Sequence, residues 1–129
     1  MAIKGVGVDI AEIYRISNII ARYGDKFINR IYTPAEAGFC ARAGSPERHF
    51  AGRWAAKEAF YKALPEALQR FSSWQSIQIL SGAGGRPIVD VCGEALRLEM
   101  GRAGVAAVHL SITHERVYCV AAVVIEGAV

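Results

Sequence analysis

Residues 50–64, Phe-Ala-Gly-Arg-Trp-Ala-Ala-Lys-Glu-Ala-Phe-Tyr-Lys-Ala-Leu, read as one helix carrying ionisable groups where an ordinary helix would carry only packing. At ~100° per residue, Glu58 projects between Trp54 and Ala51, and Lys62 between Ala51 and Ala55, with apolar residues over most of the remaining circumference. Such a helix is expected to be largely buried. A carboxylate and an ammonium placed there are costly unless each finds a counter-charge, a metal or an anionic ligand. An i,i+4 pair on a solvated face is the other reading of the same two residues.

Near the N-terminus, Gly5-Val6-Gly7-Val8-Asp9-Ile10 offers a second place for chemistry. Residues 3–8 read as a short, mostly apolar strand, and Asp9 is expected where it runs out into a helix beginning near Ala11 or Glu12. Asp9 there is either a helix N-cap or a ligand for a hard cation, with glycines before it that allow close backbone approach.

These two motifs, about fifty residues apart, together resemble the 4′-phosphopantetheinyl transferases, of the small holo-[acyl-carrier-protein] synthase type. Residues 27–36 (Phe-Ile-Asn-Arg-Ile-Tyr-Thr-Pro-Ala-Glu), Gly84-Gly85-Arg86-Pro87 and residues 110–124 (Leu-Ser-Ile-Thr-His-Glu-Arg-Val-Tyr-Cys-Val-Ala-Ala-Val-Val) fit the same pattern, so the resemblance spans nearly the whole chain. It implies transfer of the 4′-phosphopantetheine arm of coenzyme A to a serine of apo-acyl carrier protein, with release of adenosine 3′,5′-bisphosphate. It also implies a homotrimer with sites between subunits. Asp9 and Glu58 would hold Mg2+ against the pyrophosphate. Arg53, Lys57, Lys62 and His114 would grip the coenzyme, and Glu58, Lys62 and His114 would serve the transfer itself. The serine proton would go to a water held by Glu58, to His114 or to Glu115. After Lys62-Ala63-Leu64 the family's usual glycine-rich turn is replaced by Pro65-Glu66-Ala67-Leu68-Gln69-Arg70, which leaves phosphate contact in that loop to Arg70 or a backbone amide.

The rest of the chain must position these groups. With 129 residues, 53% of them hydrophobic, it is expected to be one domain spanning residues 1–129 with a core that needs no disulfides. Cys40, Cys92 and Cys119 lack metal-ligand spacing and read as buried thiols of a reducing cytoplasm. No run reaches the ~18 apolar residues of a membrane span, and a signal peptide's basic start and apolar core are missing, so a cytoplasmic protein is expected. A formal charge of +3 is too mild to imply nucleic acid.

Ile13, Ile16, Ile20, Tyr23 and Phe27 recur at alternating spacings of three and four, the mark of one buried helical face that Gly24 breaks or bends. Arg15, Arg22, Lys26 and Arg30 follow along a neighbouring face, either as a solvated flank or as a docking stripe for an acidic partner, which in the resembled family is the acyl carrier protein. Thr33-Pro34-Ala35-Glu36 predicts a capped helix to about Arg42, and Ser45-Pro46 starts the long helix in the same way.

Strands are expected at Ile77 and Ile79 and at residues 88–91, with residues 82–87 as the turn between them. A helix follows over residues 93–102, then a strand pair over residues 105–113 and 117–126 joined through His114, the second strand lying mid-sheet and covered on both faces. The fold expectation is thus α+β, an antiparallel sheet with packed helices. A non-catalytic module that binds acidic proteins would need the basic stripe but not both carboxylates. A metal-dependent phosphohydrolase would use the carboxylates equally well.

Overall fold

The computed structural model describes residues 2–128. In chain order the elements are β1 (Ala2–Glu12), α1 (Ile13–Tyr23), α2 (Asp25–Ile31), α3 (Pro34–Arg42), α4 (Pro46–Ala63), α5 (Glu66–Gln69), β2 (Ile77–Ser81), β3 (Pro87–Val91), α6 (Glu94–Arg102), β4 (Val105–His114) and β5 (Tyr118–Gly127). Strands β1, β5 and β4 form one antiparallel sheet in that order, and β2 and β3 form a separate antiparallel hairpin. The expected α+β architecture is present.

Helix α4 is the axis of the molecule, meeting the three-stranded sheet on one side and α3 and β2 on another. Its contact with β1 is unusually close. A Cβ added at Gly5 would lie 1.7 Å from the carbonyl oxygen of Ala63, and one at Gly7 would lie 1.9 Å from that of Ala59. Only hydrogen fits on that face, so the glycine spacing on the strand and the alanine spacing on the helix form one interface. Because side chains alternate along a strand, the residues that share this face are Gly5, Gly7, Asp9 and Ala11, while Val6, Val8 and Ile10 point away and are 57–65% exposed.

Asp9 therefore lies inside the strand, paired with Ala121, and not at a helix start. The position preceding α1 belongs to Glu12, whose side chain makes no cap. Alternating apolar residues from Val6 to Ile10 carry the strand to Glu12, four residues further than expected. Strand β5 is central, but only its Cys119, Ala121, Val123 and Ile125 face is buried. Its opposite face is left open together with the outward residues of β1, which corrects the expectation of cover on both sides within one chain. Cys92 is exposed, unlike Cys40 and Cys119.

Gly24, at φ +58°, separates α1 from α2. Ile13, Ile16, Ile20 and Phe27 face the core as the periodicity predicts, but Tyr23 turns outward beneath Arg22. The cap at Thr33 is complete. Its hydroxyl accepts from the Glu36 N–H, and the Glu36 carboxylate accepts from the Thr33 N–H at 2.9 Å. Ser45 precedes α4 but its side chain caps nothing.

Of the lysines on α4 that sequence assigned to the site, the buried one is Lys57 and not Lys62. The Lys57 ammonium lies 2.7 Å from Glu36 Oε1 and within hydrogen-bond reach of the carbonyls of Ile31, Trp74 and Ile77, so its protons are fully engaged. Glu36 Oε2 in turn accepts from the Ile79 N–H at 2.7 Å. Lys57 is thus a tie between α2, α3, α4 and β2 and is unavailable to a coenzyme.

Replacing Lys57 by Met leaves the Glu36 carboxylate buried without its cation, at a cost of about 3–5 kcal/mol. That is a large share of the ~5–15 kcal/mol that holds a typical domain together. The urea midpoint of Lys57→Met should fall accordingly. A midpoint equal to that of wild type would refute the assignment.

Candidate active site

The face of β1 that carries the glycines brings Asp9 level with the C-terminal half of α4. Glu58 and Lys62, one turn apart on that helix, meet it there. Lys62 Nζ lies 2.9 Å from Asp9 Oδ1 and donates to the Val8 carbonyl at 3.2 Å. The pair is accessible, with side chains 52% and 15% exposed for Lys62 and Asp9. Burial and then the nearby Asp9 push the Glu58 carboxyl above its ordinary range, while Lys62 and Arg15 pull it back. Arg15, expected only in the docking stripe, therefore also borders the carboxylates.

Lys62 compensates Asp9, yet burial and Asp9 still hold the Glu58 pKa up, and two carboxylates left in that state fit a hard divalent ion. No cluster of three or more His, Cys, Asp or Glu side chains with metal-binding geometry occurs among the described residues. Asp9 and Glu58 would thus leave most coordination positions to water and to ligand oxygens, the usual condition of Mg2+ at phosphates. A cleft of about 330 Å³ opens beside Glu58, walled by Tyr61, Ser72, Ser73, Trp74 and Ile77. Trp74 stacks on Trp54, which stacks on Phe27, so this wall is rigid.

The second group of predicted residues lies elsewhere. Arg53 and His114 line a cleft of about 210 Å³ together with Arg48, His49, Gly85 and Pro87. Arg53 is only 6% exposed, its Nε has no hydrogen-bond partner, and its guanidinium lies 4.5 Å over the Phe39 ring. Burial, followed by Arg53, Arg48 and His114, lowers the His49 pKa. No carboxylate lines this cleft, so its chemistry is that of an anion site.

Helix α4 carries both groups, and its geometry keeps them apart. Arg53 and Glu58 are five residues apart, which is about 7.5 Å of rise and about 140° of rotation. A single chain presents an acidic half on one side of α4 and a basic half on another. Glu115 lies in the β4–β5 turn, exposed, with its N–H donated to the Tyr118 carbonyl at 2.9 Å. Of the stripe, Arg15 and Arg22 stand on α1 and Lys26 and Arg30 on α2, all exposed. Arg70 stacks at 4.8 Å over its neighbour Phe71. Sequence reading missed Arg48, His49 and Phe39. The first two were legible as basic residues one turn ahead of Arg53, whereas Phe39 lies on another helix and left no signal.

The 4′-phosphopantetheinyl transferase superfamily matches residues 5–121. A holo-[acyl-carrier-protein] synthase of Koribacter versatilis is 40% identical over 124 residues, covering 96% of this chain and 98% of the relative. One of Shewanella baltica is 42% identical over 128 residues, covering 98% and 99%. In fold, the crystal structure of holo-[acyl-carrier-protein] synthase from Neisseria meningitidis matches with a TM-score of 0.83 at 35% identity, over 96% of this chain and 98% of that one. The Bacillus anthracis holo-(acyl-carrier-protein) synthase in complex with CoA (3′,5′-ADP) matches with a TM-score of 0.78 at 32% identity, over 99% of this chain and 100% of that one. Similar in sequence and in fold over nearly its whole length, the chain belongs to the 4′-phosphopantetheinyl transferase superfamily, among the holo-[acyl-carrier-protein] synthases.

Proposed function

We propose that this chain transfers the 4′-phosphopantetheine group of coenzyme A to a serine hydroxyl of an acyl carrier protein, with Mg2+, in fatty acid or polyketide biosynthesis in the cytoplasm. The observation that carries the reading is the meeting of Asp9, Glu58 and Lys62 on one side of α4.

In this reading the serine oxygen bonds to the phosphorus on the pantetheine side of the pyrophosphate. The bridging P–O bond breaks, and its electron pair leaves on adenosine 3′,5′-bisphosphate. Mg2+ at Asp9 and Glu58 would neutralise the charge that develops on the phosphate oxygens. Lys62, already held against Asp9, sets a mobile cation beside the transferring phosphate. A water held beside Glu58 would take the serine proton, with the carboxylate orienting it. The cleft of Tyr61 and Trp74 offers an apolar wall to the pantetheine arm that is transferred. Arg53 and His114, with Arg48 and His49, hold a phosphate at the adenosine end, which gives His114 a binding role and not a proton-transfer role.

Since the acidic and basic halves face different sides of α4, we infer that one copy's basic cleft completes a neighbour's carboxylate site in a homotrimer. The open apolar face of β1 and β5 supports such an assembly, because a contiguous exposed apolar strand face is the usual mark of an interface.

The reaction is tested by incubating the protein with apo-carrier protein, coenzyme A and Mg2+ and weighing the carrier. A carrier heavier by one phosphopantetheine is expected, and an unchanged mass refutes the reading. Asp9→Ala and Glu58→Gln should each abolish the mass gain.

Glu58→Gln carries a second signature. The folded state raises the Glu58 pKa, so the stability that its protonated form contributes is present below the unfolded pKa and is lost as pH rises through the folded one. Without metal, Glu58→Gln should therefore gain thermal stability relative to wild type at pH 8 but not at pH 4. Equal differences at both values would contradict the burial of that carboxylate.

A shared site predicts complementation. Glu58→Gln and His114→Ala, each impaired alone, should regain activity when unfolded together and refolded as mixed oligomers, because some sites then receive both intact halves. If the mixture stays as weak as its components, the site lies within one chain.

The docking stripe is best tested away from Arg15, which also borders Glu58. Arg22→Glu with Arg30→Glu should raise the Michaelis constant for the carrier by about tenfold at low salt and leave that for coenzyme A unchanged. The wild-type constant should rise with ionic strength as exposed charges are screened over ~8–10 Å. Two flat, parallel salt profiles would assign the stripe to a solvated flank.

A further inference from the structure

Arg53 poses a question that the coenzyme reading alone leaves unanswered: what fixes a buried guanidinium that no acid pairs with? It is 6% exposed and its buried Nε has no hydrogen-bond partner. A guanidinium cannot shed its charge at any physiological pH, so burial cannot be relieved by deprotonation as it can for a lysine. The nearby interior acid, Glu36, is already saturated by Lys57 and two backbone N–H groups.

What Arg53 does touch is the face of Phe39, at 4.5 Å. An aromatic face attracts the cation but offers no hydrogen-bond acceptor that would compete with a ligand. The same ring receives His49 edge-on, with centroids 5.6 Å apart and planes at 81°. One ring thus holds two of the cleft's nitrogen-bearing groups. Phe39 stands on α3, whose first turn is locked by the Thr33 and Glu36 cap and by the Lys57 tie, so the ring is anchored by the core. It is nevertheless 37% exposed and contributes little to that core.

Resting on the reading of this cleft as the coenzyme's phosphate pocket, we propose that Phe39 is its positioning residue, clamping Arg53 and His49 so that the terminal guanidinium nitrogens stay free and aimed at an anion. The clamp acts on ground-state binding. Its loss lets Arg53 sample other rotamers and find competing carbonyls, which weakens the grip on the phosphate without touching the groups around the transferring phosphorus.

The test measures calorimetric affinity for 3′,5′-ADP, together with the Michaelis constant and turnover for coenzyme A, in wild type, Phe39→Leu, Phe39→Tyr, Arg53→Ala and the Phe39→Leu/Arg53→Ala double variant. Phe39→Leu should weaken 3′,5′-ADP binding and raise the Michaelis constant by about tenfold, with turnover within about twofold of wild type. Phe39→Tyr, which keeps the aromatic face, should restore both. In the Arg53→Ala background Phe39→Leu should add nothing further, since its effect runs through Arg53. Normal 3′,5′-ADP affinity in Phe39→Leu beside a weakened Arg53→Ala overturns the clamp and leaves the pocket standing. Normal affinity in Arg53→Ala overturns the pocket as well. If leucine unfolds the protein, Phe39→Met replaces it, and a fall in turnover without a change in affinity refutes the proposal.

Discussion

The ion pair between Glu36 and Lys57 is the constraint on which the remaining geometry rests. Both charges are out of water, and each is satisfied several times over: the ammonium by a carboxylate and three carbonyls, the carboxylate by the ammonium and two backbone N–H groups. A buried pair of this kind adds little net stability, but its alternatives are costly, so it specifies one arrangement. It fixes the rotation of α4 about its own axis. Lys57 directed at α3 and β2 obliges the next residue, Glu58, to turn toward β1, and places Arg53 one turn earlier beside Phe39.

The second constraint is steric. With only hydrogens between β1 and the carbonyls of Ala59 and Ala63, strand and helix approach closely enough for the short side chain of Asp9 to meet Glu58 and Lys62. Any side chain in place of either glycine would separate the two elements and open the carboxylate pair. The glycines near Asp9 thus serve helix packing, and through it the site, instead of giving a ligand room at the backbone.

Electrostatics explains why the two halves are kept apart. A buried guanidinium such as Arg53 set between Asp9 and Glu58 would hold them far more firmly than the exposed Lys62 and Arg15 that border them, and would leave less need of a metal ion. Turned about 140° away on the same helix, each half keeps its charge for a ligand. The molecule spends some stability on this arrangement, visible in the raised Glu58 pKa and the unpartnered Arg53 Nε. Such local strain is the usual companion of a binding site.

Much of the architecture was legible in the sequence, because periodicity and capping are local. The capped start of α3, the break at Gly24, the β2–β3 hairpin and the central place of β5 all follow from residues close together in the chain. The motifs also nominated Asp9, Glu58, Lys62, Arg53 and His114 as candidates, and the fold gathers them into two groups around α4. What only the tertiary structure decided is which of the charges on α4 is spent inside. Helical phase placed Lys62 on the buried face and the resemblance assigned Lys57 to the coenzyme, whereas the fold buries Lys57 and exposes Lys62, because burial depends on the acceptors that α2, α3 and β2 bring from twenty or more residues away. The same holds for Asp9 as a strand residue, for Arg48 and His49 beside Arg53, and for the ring of Phe39. Local sequence dictates which groups a segment offers, but the partner each group finds is a long-range property of packing.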